Sequence, residues 1–170
     1  MRLFIAIGFN REIMRALTKA QEAMRRQGVR GNYTKAENLH LTLAFIGEYP
    51  DPQAVVDLLP EFDAFPLALE GLGAFGDLWW AGLEPSAALE AYVRRLRRAL
   101  SDADVTFDRK RFSPHVTLVR RATGRPEIRA PRGGMRVSRV SVMRSDRGAD
   151  GMIYTEVGGV DARDIALKDE

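Results

Sequence analysis

Glu37-Asn38-Leu39-His40-Leu41-Thr42-Leu43-Ala44-Phe45-Ile46-Gly47-Glu48 reads as a β-strand, and a second stretch downstream repeats its centre. That second stretch is Arg111-Phe112-Ser113-Pro114-His115-Val116-Thr117-Leu118-Val119-Arg120. Both carry His-x-Thr-Leu, and His40 and His115 are the only histidines in the chain. Side chains alternate between the faces of a strand, so His40 and Thr42 share one face, and Leu41 and Leu43 the other. The same parity groups His115 with Thr117 and Val116 with Leu118. Each strand thus offers an imidazole and a hydroxyl to one side and two aliphatic groups to a core. Two such strands facing each other make a cleft lined by two imidazoles and two hydroxyls. A lone strand histidine is usually a satisfied, half-buried residue; two in one four-residue pattern point to shared chemistry. By strict alternation Arg120 falls on the Val116 face, away from His115, unless the strand ends or twists there.

The rest of the composition narrows the classes open to this chain. At 170 residues it suits one globular unit, or two small lobes sharing a core. A hydrophobic content of 45% beside 29% charged residues argues against disorder. The lack of cysteine excludes disulfides, thiolate metal sites and a cysteine nucleophile, and fits a reducing cytoplasm. No apolar run is long enough to span a membrane. Met1 to Phe9 runs into Asn10-Arg11-Glu12 with no small-residue cleavage site, so it reads as a first strand rather than a leader. The net charge of +3 is unevenly spread: residues 109–147 hold twelve Lys and Arg against Glu127 and Asp146. That excess surrounds the second histidine and favours an anionic ligand.

Working outward, Asn10 is placed to cap a helix running to about Gln27, with Ile13, Leu17, Ala20 and Met24 on one face and Gly28 as its stop. Asp51-Pro52 opens a short helix that Pro60 ends. Residues 66–70 and 78–83 read as strands around a glycine-rich turn. Ser86 caps a second long helix with Leu89, Val93, Leu96 and Leu100 inward and Arg94, Arg95, Arg97 and Arg98 mostly outward. Val105 to Phe107 reads as a short strand, residues 122–134 as loop, and 137–143 and 152–157 as closing strands around Gly148 and Gly151. The tail from Gly158 is expected to be loosely held. The pattern is α+β: two antiparallel sheets with outer helices, one histidine motif per lobe, in a single bilobal domain over 1–170.

Gly71-Leu72-Gly73-Ala74-Phe75-Gly76 matches G-x-G-x-x-G by letter, but strand-like Leu78-Trp79-Trp80 follows where a dinucleotide site needs a helix. Neither histidine has a His, Cys or carboxylate two residues on, no H-E-x-x-H occurs, and no G-x-S-x-G elbow is present. What remains is metal-free acid–base chemistry, one imidazole as base and the other as acid near neutral pH. Threonine hydroxyls donate to phosphoryl oxygens, and arginine balances their charge.

This constellation resembles the two-histidine (2H) phosphoesterases, and most closely the RNA 2′,3′-cyclic phosphodiesterases, also called 2′-5′ RNA ligases. The likeness extends from Met1-Arg2-Leu3-Phe4-Ile5-Ala6-Ile7 through both motifs and Leu72-Gly73-Ala74-Phe75 to Ser145, Gly151 and Tyr154. A departure is the short, basic 122–134 segment, where relatives often have more helical sequence. The resemblance implies a bilobal fold with a pseudo-twofold cleft, His40 as proton donor and His115 as proton acceptor, and no cofactor or metal. It implies hydrolysis of an RNA 2′,3′-cyclic phosphate end, or a cyclic nucleotide, to a 2′-phosphate. The alternatives are 2′-5′ ligation of RNA halves in the same cleft and a non-catalytic RNA-binding module. Thr42, Thr117 and Arg120 are the expected phosphoryl contacts, and Tyr33 and Phe112 the candidate rings for stacking on a base. The arginines of 109–147, among them Arg125, Arg129 and Arg132, are the expected RNA track. A monomer with no membrane association is expected.

Overall fold

The molecule is described by a computed structural model over residues 1–163. Among these described residues, nine strands form two antiparallel sheets. They are β1 (Arg2–Ile7), β2 (Asn32–Tyr33), β3 (Leu41–Glu48), β4 (Phe65–Phe75), β5 (Leu78–Leu83), β6 (His115–Arg120), β7 (Gly134–Val137), β8 (Arg139–Gly148) and β9 (Gly151–Asp161). One sheet has the order β3-β1-β8-β9 and the other β2-β6-β5-β4-β7. The helices are α1 (Arg11–Arg26), α2 (Pro52–Leu58) and α3 (Ala87–Asp102). Among the described residues, no helix is long and apolar enough to cross a membrane.

The helix boundaries follow from local chemistry. Asn10 accepts from Ile13 N at 3.0 Å, Asp51 from Ala54 N at 3.2 Å and Ser86 from Leu89 N at 3.1 Å. Gly28 sits just past α1 at φ 83°, where a side chain would be strained. The strand β1 is buried from Leu3 to Ile7 because it lies inside its sheet with both faces covered.

Helix and sheet are exchanged between the lobes. Strand β1 pairs with β3, yet α1 between them packs Ile13, Leu17, Ala20 and Met24 against Ala81, Val116 and Leu118 of the other sheet. Strand β5 pairs with β6, yet α3 between them packs Leu89, Val93, Leu96 and Leu100 against Leu3, Ile5, Leu41 and Leu43. The units β1–α1–β3 and β5–α3–β6 are thus built alike, each lending its helix to the opposite lobe.

Several expected boundaries move. Residues 36–38 form a 3-10 turn, so the first motif strand starts at Leu41 rather than Glu37. Residues 111–114 lie outside the second motif strand, which starts at His115, directly after a proline that has no N–H for a ladder. Val105 to Phe107 form no ladder; Val105 N instead bonds Leu100 O and closes α3. The glycine-rich stretch is no turn: β4 runs through it to Phe75, leaving Gly76-Asp77 to reverse the chain. There a Cβ on Gly73 would overlap the Trp80 ring, so only glycine lets the indole cross the strand. The stretch 137–143 divides at Ser138, where the chain leaves β4's edge and joins β1. Finally, β9 continues to Asp161, paired with Arg139, so Gly158 to Asp161 are held in a sheet; residues 164–170 lie outside the described residues.

Candidate active site

The two imidazoles are set by the same local device. His40 stands directly before β3 and His115 opens β6. The Nδ1 of His40 lies 2.6 Å from Asn38 O, and that of His115 lies 2.7 Å from Ser113 O. A carbonyl only accepts, so Nδ1 carries the hydrogen on both rings and Nε2 is the nitrogen left for chemistry. His40 Nε2 lies 2.7 Å from Thr42 Oγ1, the hydroxyl that strand parity put on its side. Two aromatic rings then hold each imidazole. Phe4 and Tyr154 lie 4.9 and 5.3 Å from His40, Tyr154 edge-on. Phe75 and Trp80 lie 5.2 and 6.3 Å from His115, Phe75 edge-on. Both histidines, Thr42, Thr117 and Arg120 line one cavity of about 570 Å³.

Arg120 reaches this cleft because β6 is bulged. Trp80 pairs with Thr117 and Trp79 with Val119, so Leu118 is left without a register partner. The extra residue shifts the parity of the strand beyond it: Val119 is buried beside Leu118, and Arg120 turns to the cleft. Strand β3 has the same irregularity at the same place. Ile5 pairs with Ala44 and Ala6 with Thr42, which skips Leu43, buries Ala44 and turns Phe45 into the cleft. Phe45 and Arg120 therefore hold equivalent positions in the two half-sites, one apolar and one cationic.

Burial pushes the His40 imidazole below the ordinary histidine pKa. The bond to Asn38 O opposes this, while the charges of Arg120 and His115 push in the same direction as burial. Among the described residues no three His, Cys, Asp or Glu side chains converge as a metal site requires.

The model of the 2′-5′ RNA ligase superfamily matches residues 12–149, and with them both histidine motifs. The chain belongs to that superfamily. Among curated relatives it is 31% identical over 132 residues to the RNA 2′,3′-cyclic phosphodiesterase of Thermotoga maritima, covering 71% of this chain and 70% of that protein. To the protein of the same name from Thermus thermophilus it is 30% identical over 174 residues, covering 91% of this chain and 87% of the relative. The crystal structure of Escherichia coli LigT superposes with a TM-score of 0.82 at 26% identity, over 96% of this chain and 98% of LigT.

Within this member of the superfamily the other anticipated site residues divide. Phe112 lines the cleft and also packs against the core. Tyr33 does not reach the cleft. It pairs with Val119, which the bulge turns to the α1 side, and its hydroxyl donates to Val29 O at 2.7 Å. The Arg25 guanidinium lies 4.1 Å from the centre of its ring. The basic segment is likewise scattered, and of its cations only Lys110, Arg111 and Arg120 line the cleft. Arg129 and Arg132 line a groove with Arg15 and Lys19 of α1. Since β6 turns Val116 and Leu118 to α1 and its histidine to the cleft, that groove lies across the sheet from the histidines. Arg139 pairs with Glu156 and Asp161, and Arg144 with Asp146. Phe45 lines the cleft although no motif marks it; Phe75 and Tyr154, part of the family likeness but given no role from the sequence, line it too, and Arg97, expected to face outward, is half-buried and also lines it. The double aliphatic after each threonine, Leu43-Ala44 and Leu118-Val119, is the signal in the sequence that could have revealed the bulges.

Proposed function

We propose that this chain hydrolyses the 2′,3′-cyclic phosphate at an RNA 3′ end to a 2′-phosphate, with His115 as base and His40 as acid. The observation that carries this is the pair of imidazoles with matched tautomers, both lining one cavity with Thr42, Thr117 and Arg120. His115 Nε2 takes a proton from water as its oxygen bonds to phosphorus. The bond from phosphorus to O3′ breaks, and His40 Nε2–H protonates the leaving oxygen. Thr42 and Thr117 donate to the non-bridging oxygens, and Arg120 balances the charge that gathers there. The named relatives support the substrate class, and LigT, at 26% identity, has been crystallised with 3′-AMP. All five side chains come from one chain, so the site is complete in a monomer.

An oligonucleotide ending in a 2′,3′-cyclic phosphate, assayed with and without EDTA, tests the reading. Turnover should survive EDTA, and the product should be the 2′-phosphate. General acid–base help is worth roughly 10²–10⁴-fold, so His40→Ala and His115→Ala should each lower kcat by about that factor. An unchanged rate in either variant would sink the assignment. Adding an RNA half with a 5′-hydroxyl to the assay reveals ligation, in which that hydroxyl takes the place of water at phosphorus and the same base and acid serve.

A further inference from the structure

Two polar side chains occupy matching places on the exchanged helices, Gln21 across the sheet from the cleft and Arg97 at its wall. Gln21 of α1 is 4% exposed, and its Nε2 donates to Thr34 O at 2.8 Å and to Leu118 O at 3.0 Å. Arg97 of α3 donates from Nη1 to Lys110 O at 2.7 Å and from Nη2 to Leu43 O at 3.3 Å. Leu118 and Leu43 are the two bulge residues. Thr34 precedes the first histidine motif, and Lys110 precedes the second. Each helix thus ties the bulge of one motif strand to the approach of the other.

Helix packing alone does not require these residues. The other buried residues of α1 are apolar, and those of α3 are apolar apart from the Tyr92 hydroxyl, which donates to Pro60 O. What they share is an end group carrying more than one N–H donor, which is what bridging two carbonyls requires. A bulge leaves a residue without its ladder partner, and a slip of one residue exchanges the faces of everything beyond it. Slipped at Leu118, Arg120 would point to the core and Val119 to the cleft. Slipped at Leu43, Phe45 would do the same.

We propose that Gln21 and Arg97 are paired positioning residues. Gln21 holds the Leu118 bulge and so aims Arg120; Arg97 holds the Leu43 bulge and so aims Phe45, and each also steadies the segment delivering the opposite histidine. The control is crossed: α1, which precedes the first motif, governs the cation that follows the second. This rests on the cleft being the phosphodiester site, and its test separates the two.

Gln21→Met removes the donors while keeping length, Arg97→Met removes them with a shorter apolar chain, and Arg97→Lys keeps N–H donors on a flexible stem. With a 2′,3′-cyclic mononucleotide, each Met variant should lose up to about 100-fold in kcat/KM, the scale of a misplacement of about 1 Å. Double-mutant cycles then give the assignment. Gln21→Met should couple to Arg120→Ala by about fivefold or more and combine independently with Phe45→Ala. Arg97→Met should couple to Phe45→Ala and not to Arg120→Ala, and Arg97→Lys should restore most of the activity. Purely multiplicative effects in all four cycles, or wild-type rates in both Met variants, would overturn the proposal. If the unaltered protein does not turn the substrate over, the functional reading fails and the positioning is read from NMR of the only two histidine rings. There Gln21→Met should shift the His40 signal and Arg97→Met that of His115, and unmoved signals would overturn it. If Arg97→Met does not fold, Arg97→Lys serves in its place: full activity supports the bridge, and loss to the level of an inactive site refutes it.

Discussion

His40 and His115 share a tautomer but not an environment, and the difference is measurable at the level of the single residue. Burial disfavours the imidazolium of His40, so its ring should titrate below the usual value of about 6.5 in an NMR experiment. Arg120 adds repulsion, so Arg120→Ala should raise that titration point while leaving it depressed by burial. Because the proposed acid works protonated, the alkaline limb of kcat/KM should move to higher pH in the same variant. A limb that stays in place would argue that His40 is not the acid. The same shift bears on stability. A folded-state pKa below the unfolded one means that His40's contribution is intact above about pH 6.5 and declines as pH falls through the folded value.

At the level of elements, β4 and β5 form the wall behind His115, and their fit depends on one missing side chain. Gly73→Ala would drive a methyl into the Trp80 ring, which must then move off β4 and change its packing beside His115. The expected result is altered tryptophan fluorescence together with a fall in kcat, and a normal kcat beside altered fluorescence would uncouple the ring from catalysis. The segment before β6 carries Lys110 and Arg111 into the cleft, whereas Arg129 and Arg132 lie against α1. Lys110→Ala with Arg111→Ala should therefore raise KM for an oligonucleotide more than for a cyclic mononucleotide. Replacing Arg125, Arg129 and Arg132 by alanine should change neither, since a phosphate held in the cleft does not meet them. The reverse ranking would show that RNA wraps over the sheet's far side.

Across the whole molecule, the exchanged helices make each lobe depend on the other's half of the chain. Leu17 and Leu96 are fully buried in different core clusters, and each comes from the helix lent by the opposite unit. Leu17→Ala and Leu96→Ala should each cost about 2–5 kcal/mol. Both should shift a single unfolding transition rather than split it in two, because neither sheet can lose its borrowed helix alone. Two separated transitions by calorimetry would show that the lobes fold apart.

Much of this protein was legible in its residues. Asn10, Asp51 and Ser86 marked the helix starts because capping is local, and the alternating four- and three-residue spacing of Ile13, Leu17, Ala20 and Met24 or Leu89, Val93, Leu96 and Leu100 marked their inner faces. The His-x-Thr pairs marked the cleft, since a period of two needs no tertiary information. Parity carried only as far as the bulges. Beyond Leu43 and Leu118 the strands change phase, and whether they do so depends on the partner strands and on the helix donors Gln21 and Arg97, which arrive from distant parts of the chain. For that reason tertiary structure alone put Phe45 in the cleft, and it alone supplied the bulge by which Arg120, the expected phosphoryl contact, reaches it. Tyr33 left it for the same reason: its side chain follows Val119, and the face of Val119 was decided by a bulge one residue earlier.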